Sequence, residues 1–275
     1  MDMAFTLPGF LLFVVLGCAV GFLAGLFGIG GGVVMVPLLI FTYGHLGVPP
    51  NVLTHVAIAT SLLVIFFASL SSAYQHNKQK TIDWHASLIL GLSSAVVAFG
   101  MAKVATHLSG QSLRMAFALM ALIVAVRMFI EKGIKEEKAV DSPPMKILPL
   151  ILIGVTAGLV SSLAGVGGGA VTIPMMYYIL KMPIKRAIGT SSATIVITVL
   201  FSVSGYILHG ISRTDLPPWC FGFVDVPRGA ALAIGSLLMA RVGAYVSFRT
   251  KPYALRKLYA LFLFAMSVYL LFFKD

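Results

Sequence analysis

The sequence predicts an all-α, polytopic integral membrane protein built from two homologous halves of inverted topology, each with a Gly-broken or re-entrant helix pair. Three observations predict it. The 275 residues are 59% hydrophobic and only 11% charged, with a mean hydropathy of +0.99, more apolar surface than a water-exposed fold keeps solvated. Apolar runs of about 18 to 23 residues recur, the length a bilayer's hydrocarbon core demands. A glycine knot also occurs twice inside such runs, as Gly28-Ile29-Gly30-Gly31-Gly32 and Gly165-Val166-Gly167-Gly168-Gly169. Each knot is followed at the same distance by a proline, Pro37 and Pro174.

The elements follow in order. Residues 8–27 form a first apolar helix with Gly17, Gly21 and Gly25 on one close-packing face. The N-terminus lacks the basic region of a secretory signal, so this segment is expected to be retained. After the knot, residues 33–43 span roughly 16 Å as helix, too short to cross alone. They are expected to return alongside the first segment as a hairpin. Single helices are predicted over 52–74, 84–102 and 111–130. Residues 131–144 carry mixed charge and end in Pro143-Pro144, which reads as a cytoplasmic linker. The second half repeats the plan over 145–164, 170–180, 187–209, 229–248 and 254–273. The division is therefore 1–130, 131–144 and 145–275.

The duplication is legible residue by residue. Gly17, Gly21, Gly28, Gly30, Gly31, Gly32 and Pro37 map onto Gly154, Gly158, Gly165, Gly167, Gly168, Gly169 and Pro174 at one constant offset. Ala57-Ile58-Ala59-Thr60-Ser61 matches Ala187-Ile188-Gly189-Thr190-Ser191, Met101-Ala102-Lys103-Val104 matches Met239-Ala240-Arg241-Val242, and Leu113-Arg114 matches Leu255-Arg256.

The formal net charge of +11 sits in loops and helix ends, so it reads as topology rather than as a nucleic-acid surface. With re-entrant first pairs, Lys78, Lys80, Lys132, Lys135, Lys138, Lys181, Lys185, Arg186, Arg249, Lys251, Arg256 and Lys257 share one face. The other keeps Arg213, Arg228 and Lys274. The basic face is then cytoplasmic and both termini lie outside. An odd number of crossings per half inverts the second half relative to the first.

Three consecutive glycines expose backbone N–H groups with little side-chain obstruction. Placed before the helices opening at Val33 and Ala170, they make an anion seat at two positive helix ends. The candidate substrate-binding set is Gly28, Gly30, Gly31, Gly32, Thr60, Ser61, Gly165, Gly167, Gly168, Gly169, Thr190, Ser191 and Arg241. The hydroxyls are expected to donate to the ligand, Arg241 to line an anion path, and Pro37 and Pro174 to act as structural helix breaks. Lys103 is expected to snorkel to the interface.

Neither knot is followed by Gly-Lys-Ser/Thr, so phosphate-loop and dinucleotide readings fail. His55 and Lys185-Arg186 flank the mouths. His45, His76, His85, His107 and His209 read as interfacial, and Trp84, Trp219 and Tyr253 as interface anchors. Cys18 and Cys220 read as free packed thiols, and Asp83, Asp215 and Asp225 fall in loops. No acid–base dyad, nucleophile triad or metal cluster is apparent, so neither an enzyme nor a cofactor is expected.

Gly-Leu-Phe-Gly-Ile-Gly-Gly-Gly over 25–32 with Pro37, Ala-Ile-Ala-Thr-Ser, Thr81-Ile82-Asp83-Trp84, the second Gly-Val-Gly-Gly-Gly with Pro174, and Ala-Ile-Gly-Thr-Ser resemble the sulfite exporter TauE/SafE family over nearly the whole chain. The resemblance implies a multi-pass permease of a bacterial inner membrane. It would move sulfite, sulfonate or a related small sulfur oxyanion; beside the resemblance, export by alternating access is the expected direction, and H+ or Na+ the candidate coupling ion. Its partners would be that anion and the lipid bilayer, with no nucleic acid. An anion channel using the same seat, or a membrane-embedded enzyme or accessory protein of sulfur metabolism, remains as an alternative. The sequence sets no oligomeric state.

Overall fold

The computed structural model describes residues 7–106 and 146–272 and isolated positions between 108 and 130. The expected linker 131–144, most of the expected segment 111–130, and the Leu113-Arg114 match lie outside the described residues. The first half contributes α1 (Leu7–Phe27), α2 (Gly32–His45), α3 (Pro50–Lys78) and α4 (Trp84–Ala105). The second contributes α5 (Ile147–Ala164), α6 (Gly169–Tyr178), α7 (Ile184–Gly210), the two-residue strands β1 (Cys220–Phe221) and β2 (Val224–Asp225), α8 (Val226–Arg249) and α9 (Pro252–Phe272). Among the described residues, six helices (α1, α3, α4, α5, α7 and α8) are long and apolar enough to cross a membrane. The chain is an all-α multi-pass membrane protein.

Glycine makes the breaks. Gly28, Gly30 and Gly31 have φ of 66°, 78° and 83°, and Gly165, Gly167 and Gly168 have 66°, 76° and 80°. That left-handed backbone is open to glycine and strained for other residues. It ends α1 and α5, turns the chain, and opens α2 and α6 behind Gly31 and Gly168. Pro37 and Pro174 are therefore corrected: each lies inside its helix. Each removes one hydrogen bond to a first-turn carbonyl, a loss that a helix already restarted by glycine survives.

The two halves dock across one another. α1 runs along α8 in the same direction, with Gly17 against the Leu232 backbone, Gly21 against Ser236 and Gly25 against Ala240. α8 answers with Gly235 against Val14 and Gly243 against Phe22. In the second half α5 runs along α4, with Gly154 against Leu90, Gly158 against Ser94, and the Ser162 hydroxyl donating to the Ala98 carbonyl at 2.7 Å. Close backbone approach at small residues supplies the packing where lipid offers no hydrophobic drive between helices.

These contacts pair Leu90, Ser94 and Ala98 with Leu232, Ser236 and Ala240. That corrects the expected match of Met101–Val104 with Met239–Val242 by one helical turn. A one-turn slip preserves the face of an apolar helix, so the sequence pattern tolerated it.

α3 and α7 run antiparallel through the centre, joined by the Ser72 and Ser192 hydroxyls at 3.1 Å. At one end of the bundle His55 Nε2 meets the Ala105 carbonyl at 3.1 Å and the Asn51 amide donates to Asp215 at 2.9 Å. The Arg213 guanidinium beside Asp215 holds that carboxyl below its ordinary range. At the other end Arg186 bonds Asp83 at 2.8 Å, and Lys185 donates to the Phe248 carbonyl at 2.8 Å. Lys78, Lys80, Lys185, Arg186, Arg249 and Lys251 gather at this second end, around the termini that these bonds join.

Candidate functional site

The two knots meet halfway along α3 and α7. A β-carbon built on Gly169 would lie 2.7 Å from Ile29 Cα and 2.8 Å from the Gly28 oxygen. One built on Gly32 would strike the Gly165 carbonyl and lie 2.5 Å from Val166 Cα. The first residue of α2 thus rests on the second knot, and the first residue of α6 on the first. Neither helix has a side-chain cap at its N-terminus; the Val34 and Val171 N–H groups donate to the Gly31 and Gly168 carbonyls at 3.1 Å, and the positive ends of both dipoles lie where the knots meet. The structure brings together Gly28, Gly30, Gly31, Gly32, Gly165, Gly167, Gly168 and Gly169, all of them buried.

The hydroxyls sit beside the knots with partners already in hand. Ser61 Oγ reaches the Gly165 carbonyl at 2.8 Å and the Ile58 carbonyl at 2.7 Å. Ser191 Oγ donates to the Gly28 carbonyl at 3.0 Å. Each serine therefore ties the knot of the opposite half. Thr60 Oγ1 accepts from the Asp225 backbone N–H at 2.9 Å and from Tyr43 Oη at 3.3 Å. Thr190 Oγ1 accepts from the Asp83 backbone N–H at 3.0 Å. The threonines pin the starts of α8 and α4 to the central helices.

Arg241 stands apart. It lies on the exposed side of α8, its guanidinium 4.9 Å from the Tyr74 ring centroid. Its neighbours Ala240 and Gly243 face α1, and a step of one residue turns a helical side chain by roughly 100° away from that contact. Lys103 is exposed in the last turn of α4.

Several burial expectations change. His76, read as interfacial, is 1% exposed, with Nδ1 3.0 Å from Thr81 Oγ1. His55 is buried as well. His45 and His85 are exposed and His209 is half-buried, while His107 lies outside the described residues. Trp84 and Tyr253 are exposed, but Trp219 is half-buried beneath Arg228, whose guanidinium stands 5.0 Å from the indole ring. Cys18 and Cys220 are free. Burial, and then the nearby Asp225 charge, pushes the Cys220 thiol up to about 12.

The sequence reading missed the environment of Asp225. It caps α8, accepting from the Arg228 N–H at 3.1 Å, and pairs with Arg228 Nη1 at 2.7 Å, both side chains 1% exposed or less. Asp83 does the same for α4, accepting from the Ala86 N–H at 3.0 Å and pairing with Arg186. The available signal was Asp225-Val226-Pro227, an acidic N-cap with proline in the first turn.

The sulfite exporter TauE/SafE family model matches residues 13–270. Among curated proteins the chain is 32% identical to the probable membrane transporter protein MJ0441 of Methanocaldococcus jannaschii, over 94% of each chain. It is 29% identical to a probable membrane transporter protein of Haemophilus influenzae, over 94% of this chain and 96% of that one. It is 29% identical to the probable membrane transporter protein YunE of Bacillus subtilis, over 86% and 88%. No solved structure matches. A polytopic helical bundle with facing glycine knots and this breadth of similarity is a membrane transporter rather than an enzyme, and the chain belongs to the sulfite exporter TauE/SafE family.

Proposed function

We propose that the protein is a secondary transporter exporting a small sulfur-containing oxyanion, sulfite, a sulfonate or a relative, across a bacterial inner membrane by alternating access. The observation that carries this reading is the meeting of the two uncapped helix N-termini at mid-length of α3 and α7. Backbone N–H groups and two helix dipoles favour a compact anion there without a permanent cation that would hinder release. Gly28, Gly30, Gly31 and Gly32 with Gly165, Gly167, Gly168 and Gly169 form the seat.

Ser61 and Ser191 act on it indirectly. By engaging the Gly165 and Gly28 carbonyls, they turn acceptor lone pairs away from the incoming negative charge. Thr60 and Thr190 keep the entrance of each half in register with the other. The antiparallel course of α3 and α7 supports inverted halves, 1–130 and 145–275 joined by 131–144, rocking about the seat. The basic end faces the cytoplasm and both termini lie outside. Sulfur-anion chemistry is taken from the family's name, with H+ or Na+ as the candidate coupling ion.

Purified full-length protein in proteoliposomes tests the reading. Labelled sulfite, sulfate, thiosulfate and short sulfonates are offered singly, and accelerated counterflow of at least one of them is expected. No protein-dependent flux of any would overturn the proposal, and large uncoupled anion currents would reassign the seat to a channel.

A further inference from the structure

We propose that Ile65 and Ile195 are the shutter of the central seat, setting the largest anion it admits and coupling its opening to movement of α3 and α7. This rests on the seat reading above. Ile65 follows Ser61 by four residues, and Ile195 follows Ser191 by four, so each lies one turn further along the face that touches the knots. Both are fully buried, at 0% and 1% exposure.

Their contacts are reciprocal. A β-carbon built on Gly30 would lie 2.5 Å from Ile65 Cγ2 and 3.4 Å from Ile195 Cγ2. One built on Gly167 would lie 3.0 Å from Ile195 Cγ2 and 3.1 Å from Ile65 Cγ2. Ile65 Cδ1 also reaches within 2.6 Å of the corresponding point on Gly32, and Ile195 Cδ1 within 2.7 Å of that on Gly169. Each isoleucine thus spans both triplets, and the space over the glycine backbones is filled with methyl groups.

An anion cannot reach those backbones while the methyl groups are in place. A β-branched side chain on a helix is held close to one χ1 rotamer, so it does not swing aside alone. The cover lifts when α3 and α7 shift relative to the knots. Opening the seat is then the same event as moving the two central helices, and the volume the isoleucines retain limits the substituent a substrate carries behind its charged group.

Two measurements on the full-length protein test this. The first is proteoliposome uptake of sulfite and of methane-, ethane-, propane- and butanesulfonate. The Ile65→Ala/Ile195→Ala variant is expected to raise the rate of the longest sulfonates relative to sulfite at least tenfold. The milder Ile65→Val/Ile195→Val variant should fall between it and the parent and guards against misfolding. An unchanged size ranking in both variants, with thermal transitions like the parent's, overturns the shutter while leaving the seat standing.

The second measurement needs no transport. In a Cys18→Ala/Cys220→Ala background, Ile65→Cys and Ile195→Cys are exposed to an anionic methanethiosulfonate reagent with and without methanesulfonate. Labelling slowed at least threefold by methanesulfonate is expected. Absence of labelling at both positions overturns the shutter, and labelling without protection places the isoleucines on a path but denies them the seat. Labelling and protection in a protein that moves no anion would retain the shutter and remove the transport reading.

Discussion

Gly31 and Gly168 hold the same place in the two knots, with φ of 83° and 80°, yet a methyl group would meet different neighbours. On Gly31 it would lie 2.8 Å from Val20 Cγ1, the end of a side chain. On Gly168 it would lie 2.7 Å from the Ala157 carbonyl oxygen, which is helix backbone. Both substitutions force left-handed backbone on alanine, costing about 1–3 kcal/mol, and both press on neighbours, but the Gly168 methyl meets backbone at 2.7 Å where the Gly31 methyl has its nearest backbone atom, the Val20 oxygen, at 3.2 Å. Gly168→Ala should melt several degrees below Gly31→Ala in detergent, and equal transitions would show that backbone strain alone decides. At this scale the glycines were legible, because few other residues tolerate that conformation. The task of Ser61 and Ser191 was not: their carbonyl partners lie 104 and 163 residues away, and a hydroxyl in a sequence does not say where its proton points.

The helices themselves were largely legible from run length, with ends moved by a few residues. Their caps were less so. Asp83 and Asp225 head equivalent helices with equivalent bonds, but Arg186 and Asp83 are 42% and 16% exposed while Arg228 and Asp225 are 1% and 0%. Asp83→Ala should lose about 1 kcal/mol for the cap and at most about 1 more for a pair facing solvent. Asp225→Ala removes the cap and one side of a buried ion pair, a loss of about 3–5 kcal/mol. Chemical or thermal unfolding of the two variants should separate them clearly, and similar losses would mean that Arg228 finds another anionic partner. The contrast was hidden in sequence, where both aspartates look like loop residues. The hairpin of β1 and β2 that buries Asp225 is too short to leave a periodic signal.

At the scale of the whole molecule, the paired glycine knots were legible in the sequence, but the register of the later repeat match was not. Small residues recur every turn in α4 and α8, so the alignment could slide by four residues and still match. Only the interlocking of Gly21 with Ser236 and of Gly158 with Ser94 fixes it. The proposed orientation predicts that, in intact cells, a membrane-impermeant thiol reagent modifies Arg213→Cys readily. It should leave Lys80→Cys and Lys251→Cys untouched until the membrane is opened, all in a background without Cys18 and Cys220. The reverse pattern would turn the molecule over.

The cross-docked pairs, α1 on α8 and α5 on α4, have a consequence for how the protein is made. α1 is synthesised first, yet the surface that covers its glycine face is translated some two hundred residues later, a wait of roughly 10–40 s at ordinary elongation rates. Until then Gly17, Gly21 and Gly25 are an unoccupied adhesive strip in the lipid, open to a neighbouring nascent chain or to an insertase. α5 finds α4 already present. The order of synthesis therefore differs between the two pairs: α5 meets a partner already made, whereas α1 waits for α8.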